Sequence, residues 1–301
     1  MKISDTTKGY LWTFLAILAV SNVYIFSKAV LNKVDFEQFG FWWFLTGGVY
    51  ILLLMTYKGA FKIYRTFGQK EFAILLVNGL LELGGTYFFY KAIEAVPNPS
   101  IVSFLNNLSP VFTVILGTVL LHERFNFREA VGIMITLLGA FLISYKGGHQ
   151  LSEMFIHGSH YVLYSTFLFA INSILLKTWV KRLSPYVLTI NRILFLTTFF
   201  TLLMILHHKP FHISWNVYKN ILIGAFLGPL LTVVASLHAL KYIEVSKKSV
   251  LGTLKGLFVL LGSYLFFHNF PTRIQIIGGI LSITGAILII TGRMQLRNKK
   301  K

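Results

Sequence analysis

The sequence predicts an all-α polytopic membrane protein of about ten transmembrane helices, built as two inverted five-helix repeats. Three observations predict this fold class. Apolar residues make up 55% of the chain, the mean hydropathy is +0.69, and only 13% of the residues are charged, whereas about a quarter are charged in a soluble domain. Apolar runs of membrane-spanning length recur along the whole chain. The second half repeats features of the first.

The apolar runs are long enough to cross the hydrocarbon of a bilayer, which needs about 20 helical residues. Short connections separate them, such as Lys58-Gly59 and Pro271-Thr272-Arg273. The first run continues to about Lys28 without a small-residue cleavage site, so we expect a retained helix rather than a signal peptide. The predicted spans are 9–28, 39–57, 71–93, 99–121, 130–146, 159–179, 186–206, 220–241, 249–267 and 274–292.

The net charge of +18 would suit a nucleic-acid partner, but the position of the charges argues against one. Lys and Arg lie almost entirely in the breaks between apolar runs. If the N-terminus is cytoplasmic, 19 of them, including Lys247 and Lys248, fall on the cytoplasmic side and 7 on the outer side. The positive-inside rule therefore predicts a multi-pass protein of the inner (plasma) membrane with both termini cytoplasmic.

Several short patterns recur in the same order in both halves. Gly132 and the segment from Gly139 return 146 residues later as Gly278 and the segment from Gly285. We infer a duplication into residues 1–146 and 147–301. Because each copy has an odd number of spans, the second must lie inverted, as in many secondary transporters. The glycine faces are expected to let helices 5 and 10 approach their neighbours closely, or to support a homodimer.

These features resemble the EamA type of the drug/metabolite transporter superfamily. The resemblance is carried by the 5+5 duplication, by the stretch Asn106-Asn107-Leu108-Ser109-Pro110-Val111-Phe112, by Leu121-His122-Glu123-Arg124, and by the glycine-rich fifth span. The second half departs from the first, with Asn269 in place of Glu123 and Gly256 in place of Pro110. The resemblance implies a transporter of small metabolites such as amino acids, often an exporter.

Glu82 is the acidic residue that lies deep in a predicted span, since the other nine fall in tails, loops or helix ends. Asn78, Glu82 and Thr86 are spaced four residues apart and therefore share one helical face. Charged groups in hydrocarbon are costly and usually face a cavity. Glu82 is thus a candidate proton carrier or binding site for a substrate amine. The alternative is a structural carboxylate bonded to a neighbouring helix.

Arg192 and Lys255 are the two cations inside predicted spans, at similar distances from the cytoplasmic ends of their helices. Together they could bind an anionic group of a substrate, and Arg192 could equally pair with Glu82. Snorkelling to the cytoplasmic interface is the competing interpretation, above all for the flexible Lys255.

Other polar and aromatic residues inside the spans are candidates to line a substrate path. Their amides could bind substrate or join helices. Pro110 and Gly228-Pro229 are expected to break helices 4 and 8 near a cavity. Trp42 and Trp43 are expected in an interfacial aromatic belt, or else in a cage for a cationic substrate with Tyr87, Phe88 and Phe89. The remaining candidates for the substrate path are the amides Asn22, Asn106, Asn107 and Asn172.

Signatures of enzymes are missing from the sequence: it has no phosphate-binding loop, no HExxH, no GxSxG and no cysteine. We therefore expect no cofactor, no metal and no catalysed reaction. The sequence predicts a secondary transporter that exports a small polar metabolite such as an amino acid across the lipid bilayer, with a proton as the candidate coupling ion. An importer of an amine or nucleoside-like solute, a membrane enzyme acting on lipids, and a non-transporting scaffold are the alternatives.

Overall fold

The computed structural model describes residues 4–95, 102, 106, 108–144, 158–258 and 272–298. Every regular element in this part of the chain is helical, as the sequence predicts. We number the main helices α1 (Asp5–Leu31), α2 (Phe36–Tyr57), α3 (Gln69–Ala95), α4 (Leu108–Leu121), α5 (Phe127–Ser144), α6 (Ser159–Leu183), α7 (Pro185–Leu206), α8 (Trp215–Tyr242), α9 (from Val245) and α10 (Arg273–Asn298). A short 3₁₀ helix covers Ala60–Thr66.

Six of these helices, α1, α2, α3, α6, α7 and α8, are long and apolar enough to cross a membrane, and shorter apolar helices cover Ser109–Leu121 and Ile276–Thr291. Large apolar side chains also cover their outer surfaces, which is the surface that lipid would solvate. The helix positions agree with the predicted spans, while a count of ten crossings remains a prediction. Examples of exposed apolar residues are Leu53, Leu80, Val119, Met134, Leu202 and Ile280.

Helices from the first half of the chain pack mainly on helices from the second half. The main contacts join α2 to α7, α4 to both α6 and α9, and α5 to α10, while α1 packs on α8 and α3 packs on α6. Each of the first five helices thus has a main partner among the last five. If the two halves are exchanged, each of these pairs except α4–α6 becomes a pair of the same set, and α1–α8, for example, becomes α6–α3.

The crossing of α5 and α10 depends on glycine. A Cβ atom on Gly139 would lie 2.5 Å from the backbone nitrogen of Ser282, and one on Gly285 would lie 2.6 Å from that of Thr136. No side chain fits at such distances. The expected close approach at these glycines is confirmed, and it takes place between α5 and α10 themselves. A homodimer would therefore need a different surface.

An aromatic core surrounds Trp43, whose exposure is 0%. Its ring packs on Phe39 and over Gly224 of α8, where an added Cβ would lie only 2.2 Å from the indole. The expectation that Trp43 belongs to an interfacial belt is therefore wrong for this residue, because two helices close over it. Trp42 is half-buried, and its Nε1 donates to the carbonyl of Phe211 at 2.9 Å.

Two acids on either side of the α4–α5 connection hold α9 in place. The carboxylate of Glu123 accepts from the backbone N–H groups of Val245 and Ser246, at 2.8 and 3.2 Å. Glu129 forms a buried ion pair with Lys247, and both side chains are almost completely enclosed. Glu123 therefore caps the first turn of α9 and satisfies N–H groups that have no partner within the helix.

Candidate transport cavity

A cavity of about 320 Å³ lies between the helices, and its lining comes from α1, α3, α4, α6, α7, α8 and α9. This volume lies at the lower end of the range for small-molecule sites. Its polar lining residues are Thr13, Tyr24, Glu82, Thr86, Tyr90, Asn106, Ser109, Asn172, Ser173, Arg192, Thr232, Ser236, Lys248, Ser249, Thr253 and Lys255.

The ion pair between Arg192 and Glu82 lies in the wall of this cavity. Nε of Arg192 donates to Oε2 of Glu82 at 2.7 Å, and the second guanidinium nitrogen Nη2 donates to Thr86 at 3.0 Å. The guanidinium also lies over the ring of Phe44, 5.6 Å from its centroid. Of the alternatives for Arg192, pairing with Glu82 is the one that the geometry favours, since both groups are held by several contacts.

Amide side chains extend this network away from the cavity. Asn172 donates to Oε1 of Glu82 at 2.7 Å and accepts from Asn78 at 3.0 Å. Asn191, next to Arg192 in the sequence, donates to Asn78 at 3.2 Å and to the carbonyl of Leu75 at 2.8 Å. The predicted Asn78–Glu82–Thr86 face therefore does point into the protein. Both carboxylate oxygens of Glu82 are engaged, so a substrate amine could reach it only by displacing one of these donors.

Another hydrogen bond lies in the wall formed by α1 and α4. The amide of Asn106 donates to the hydroxyl of Tyr24 at 3.3 Å, and both side chains are buried. Ser109 and Pro110 line the cavity beside them. Asn106 is therefore where the sequence predicted it, whereas Asn107 lies outside the described residues.

Two lysines of α9 contribute to the cavity lining, namely Lys248 and Lys255. Lys255 was a predicted site residue. Lys248 was placed in the connection before the predicted span 249–267, whereas in the structure it lies inside α9, which begins at Val245. No signal in the sequence around Lys248 distinguished it from the adjacent Lys247, which forms the buried pair with Glu129 instead.

Irregular backbone borders the cavity in both α8 and α9. Within α8, residues Phe226–Thr232 form a π-helical segment that contains Pro229, a residue with no N–H to donate to the preceding turn. In α9, Val245–Leu251 is followed by the 3₁₀ turn Gly252–Leu254. The expected break at Gly228-Pro229 is confirmed, and the break in α9 was not predicted. Such segments often mark functional sites and hinges.

Some predicted site residues lie elsewhere. Asn22 is exposed on the outside of α1, where its amide bonds the carbonyl of Leu18 at 3.0 Å. Tyr87 packs edge-on against Phe36 and Phe199, and neither Tyr87 nor Trp43 is among the residues that line the cavity. In the residues that the structure describes, no three His, Cys, Asp or Glu residues lie close enough together to hold a metal ion.

Comparison with known proteins agrees with this architecture. The EamA-like transporter family matches residues 7–145 and again residues 157–291. An uncharacterized transporter of Synechocystis sp. is 26% identical over 247 residues, which cover 79% of this chain and 70% of that protein. An uncharacterized transporter of Haemophilus influenzae is 20% identical over 305 residues, 97% of each chain.

One solved crystal structure is similar to this chain, with a TM-score of 0.78 over 95% of this chain and 98% of its own. At 17% sequence identity this likeness establishes a shared fold. Together with the family match over both halves and the apolar helices, it assigns the molecule to the multi-pass membrane transporters. The chain belongs to the EamA-like transporter family.

Proposed function

We propose that this protein is a secondary transporter that exports a small polar metabolite, an amino acid or a related compound, by alternating access. The observation that carries the proposal is the polar cavity of about 320 Å³ with the Arg192–Glu82 pair in its wall. Charged groups are expensive within a membrane protein and are usually retained for a substrate or ion path. In a protein of this family, such a cavity is the natural site for the cargo.

The pairing of helices supports an alternating-access mechanism. All the main helix pairs except α4–α6 are retained when the halves are exchanged. From this near-symmetry we infer two five-helix repeats, residues 1–146 and 147–301, in inverted orientation. In inverted-repeat transporters, the two halves exchange conformations around a central site. The cavity is lined from both halves and would be that site.

The irregular segments of α8 and α9 supply places where such a change can occur. Backbone hydrogen bonding is altered around Pro229 and at Gly252–Leu254, so these turns can bend at lower cost than a continuous helix. Both segments line the cavity. We propose that they act as hinges that let one side of the cavity close while the other opens.

The proposed orientation rests on the distribution of Lys and Arg, and the proposed direction of transport rests on proton coupling. Both termini are proposed to be cytoplasmic in the inner membrane, since most Lys and Arg then lie on the cytoplasmic side.

Glu82 is the proposed proton carrier, because it is the acid among the described lining residues. Proton coupling would drive export by exchange with entering protons. An importer on the same fold is the alternative, and flux measured in each direction distinguishes the two.

The test uses the purified full chain in proteoliposomes and measures uptake of radiolabelled metabolites with and without a pH gradient. We expect flux of at least one small polar metabolite, abolished by Arg192→Gln and made independent of the pH gradient by Glu82→Gln. Glu37→Gln is the matched control, because Glu37 lies at the start of α2 and contacts His207 rather than the cavity. Flux unchanged by both cavity variants would contradict the assignment.

A further inference from the structure

The lysines Lys248 and Lys255 are the starting point for an inference about the cargo, which rests on the proposed transport function. They are seven residues apart on α9, which places them on one side of the helix and about 11 Å apart along its axis. Both line the cavity. No hydrogen bond or ion pair between described residues engages either ammonium group.

This arrangement differs from that of the neighbouring Lys247, which is matched by Glu129 and Glu244. Lys177 is similarly satisfied, since its ammonium donates to the carbonyls of Leu240 and Ile243. Lys248 and Lys255 are half-buried in the cavity wall, where an ammonium group gains more from an anionic partner than it would in bulk water. The ammonium groups of Lys248 and Lys255 are therefore suited to bind an anionic ligand.

The charges of the cavity wall do not balance. Among the described lining residues, Arg192, Lys248 and Lys255 are cationic and Glu82 is the acid. Glu82 already accepts from Arg192 and Asn172, although Lys248 is within its electrostatic reach. The described lining residues thus carry three positive charges and one negative charge, a net charge of +2.

We propose that the cargo is a small organic dianion, a dicarboxylate or a phosphate monoester, whose anionic groups are bound by Lys248 and Lys255. The hydroxyl of Ser249 lines the same cavity and can donate a further hydrogen bond to a carboxylate or phosphate oxygen. The hydroxyls of Thr253 and Thr232 instead donate to the carbonyls of Val250 and Leu227. A dianion restores neutrality in a site of low dielectric constant, where charge complementarity has its largest effect.

The same charges disfavour other small cargoes. A diamine would meet like charges from three cationic side chains, and the carboxylate that could attract it is held by Arg192. A neutral zwitterion such as alanine would place its own ammonium in a cavity that already has excess positive charge. Acidic amino acids are the members of the proposed metabolite class that come closest to fitting.

The experiment measures thermal unfolding of the purified full chain with succinate, glycerol 3-phosphate, alanine or putrescine, because a ligand of the native state raises its melting temperature by mass action. Lys248→Met and Lys255→Met remove one charge each. Lys219→Met is the matched control, since Lys219 is exposed on α8 near Trp215. Lys255→Arg keeps the charge.

We expect succinate or glycerol 3-phosphate to stabilise the wild-type protein and Lys219→Met, with the more effective probe identifying the anionic group. Each cavity lysine variant should bind roughly 30-fold more weakly, the effect expected for loss of one buried charged partner. Lys255→Arg should retain most of the binding. Without ligand, the Met variants should be at least as stable as the wild type, a result that a merely structural role of the lysines would not give.

Three results would overturn the inference. In the first, alanine or putrescine raises the melting temperature of the protein and neither anion does. In the second, the anions raise the melting temperature of both Met variants as much as that of the wild type. In the third, no probe raises the melting temperature. The first leaves the transporter proposal intact with a different cargo. Flux assays in proteoliposomes, which do not depend on these probes, test the transporter proposal by itself.

Discussion

Arg192 and Glu82 join α7 to α3 through an ion pair in which Nε and Oε2 are 2.7 Å apart. The two side chains are only 11% and 12% exposed. Asn172 and Thr86 occupy further hydrogen-bonding positions of the carboxylate and the guanidinium. The pair therefore has a structural role in addition to any role in transport, and the two roles can be separated by measurement.

Removing one partner of this pair should cost more stability than removing both. Glu82→Gln leaves an enclosed guanidinium without its counter-ion, which typically costs about 3–5 kcal/mol. The double variant Glu82→Gln/Arg192→Gln should recover a substantial part of that loss. Thermal unfolding of the detergent-purified variants measures both effects. Strictly additive losses would contradict a direct coupling between the two side chains.

The same reasoning applies to Lys247 and Glu129, which pair between α9 and α5. Lys247→Met should destabilise the protein by about 3 kcal/mol, because the Glu129 carboxylate stays buried without its cation. Adding Glu129→Gln should restore most of the stability. A glutamine can still accept from the backbone N–H of Asn126, the bond that Glu129 now makes at 3.0 Å. Failure of the second substitution to rescue the first would argue that Lys247 acts through packing alone.

The positions of the helices could be predicted from the sequence because bilayer thickness fixes the length of an apolar run. The inward face of each helix was harder to predict, since lipid and protein core are both apolar and the pattern shows no polar side. Asn22 and Asn172 look equivalent in sequence, yet Asn22 satisfies its amide locally on the carbonyl of Leu18, while Asn172 bonds Glu82.

For the cavity, the sequence identified charges deep inside spans but missed charges near their ends. Glu82, Arg192 and Lys255 were found because a charge in the middle of an apolar run has no local explanation. Lys248 lies one turn into α9, where lysines normally reach the interface, and only the packing of α9 on α4 and α6 decides which lysine faces the cavity. Trp43 was misplaced for the same reason, since its burial depends on Gly224 of a distant helix.

Glu123 is predicted to stabilise the N-terminal end of α9. Glu123→Ala would leave the N–H groups of Val245 and Ser246 without their acceptor, and loss of a helix N-cap costs about 0.5–2 kcal/mol. We expect a lower melting temperature and faster proteolysis near residue 245. Arg124→Ala is the matched control, because Arg124 is exposed next to Glu123. Equal effects of the two substitutions would contradict the capping role.

The crossing of α5 and α10 should tolerate no side chain at Gly139. A Cβ there would lie 2.4 Å from the hydroxyl of Ser282 and 2.6 Å from the carbonyl oxygen of Gly278, so Gly139→Val must push the helices apart. Because forcing extra bulk into a packed core typically costs about 1–3 kcal/mol, thermal unfolding should show a clear loss of stability. Gly252→Ala is the comparison, since nothing lies within 4 Å of its added Cβ. Unfolding of Gly139→Val at the same temperature as Gly252→Ala would contradict the close approach of α5 and α10.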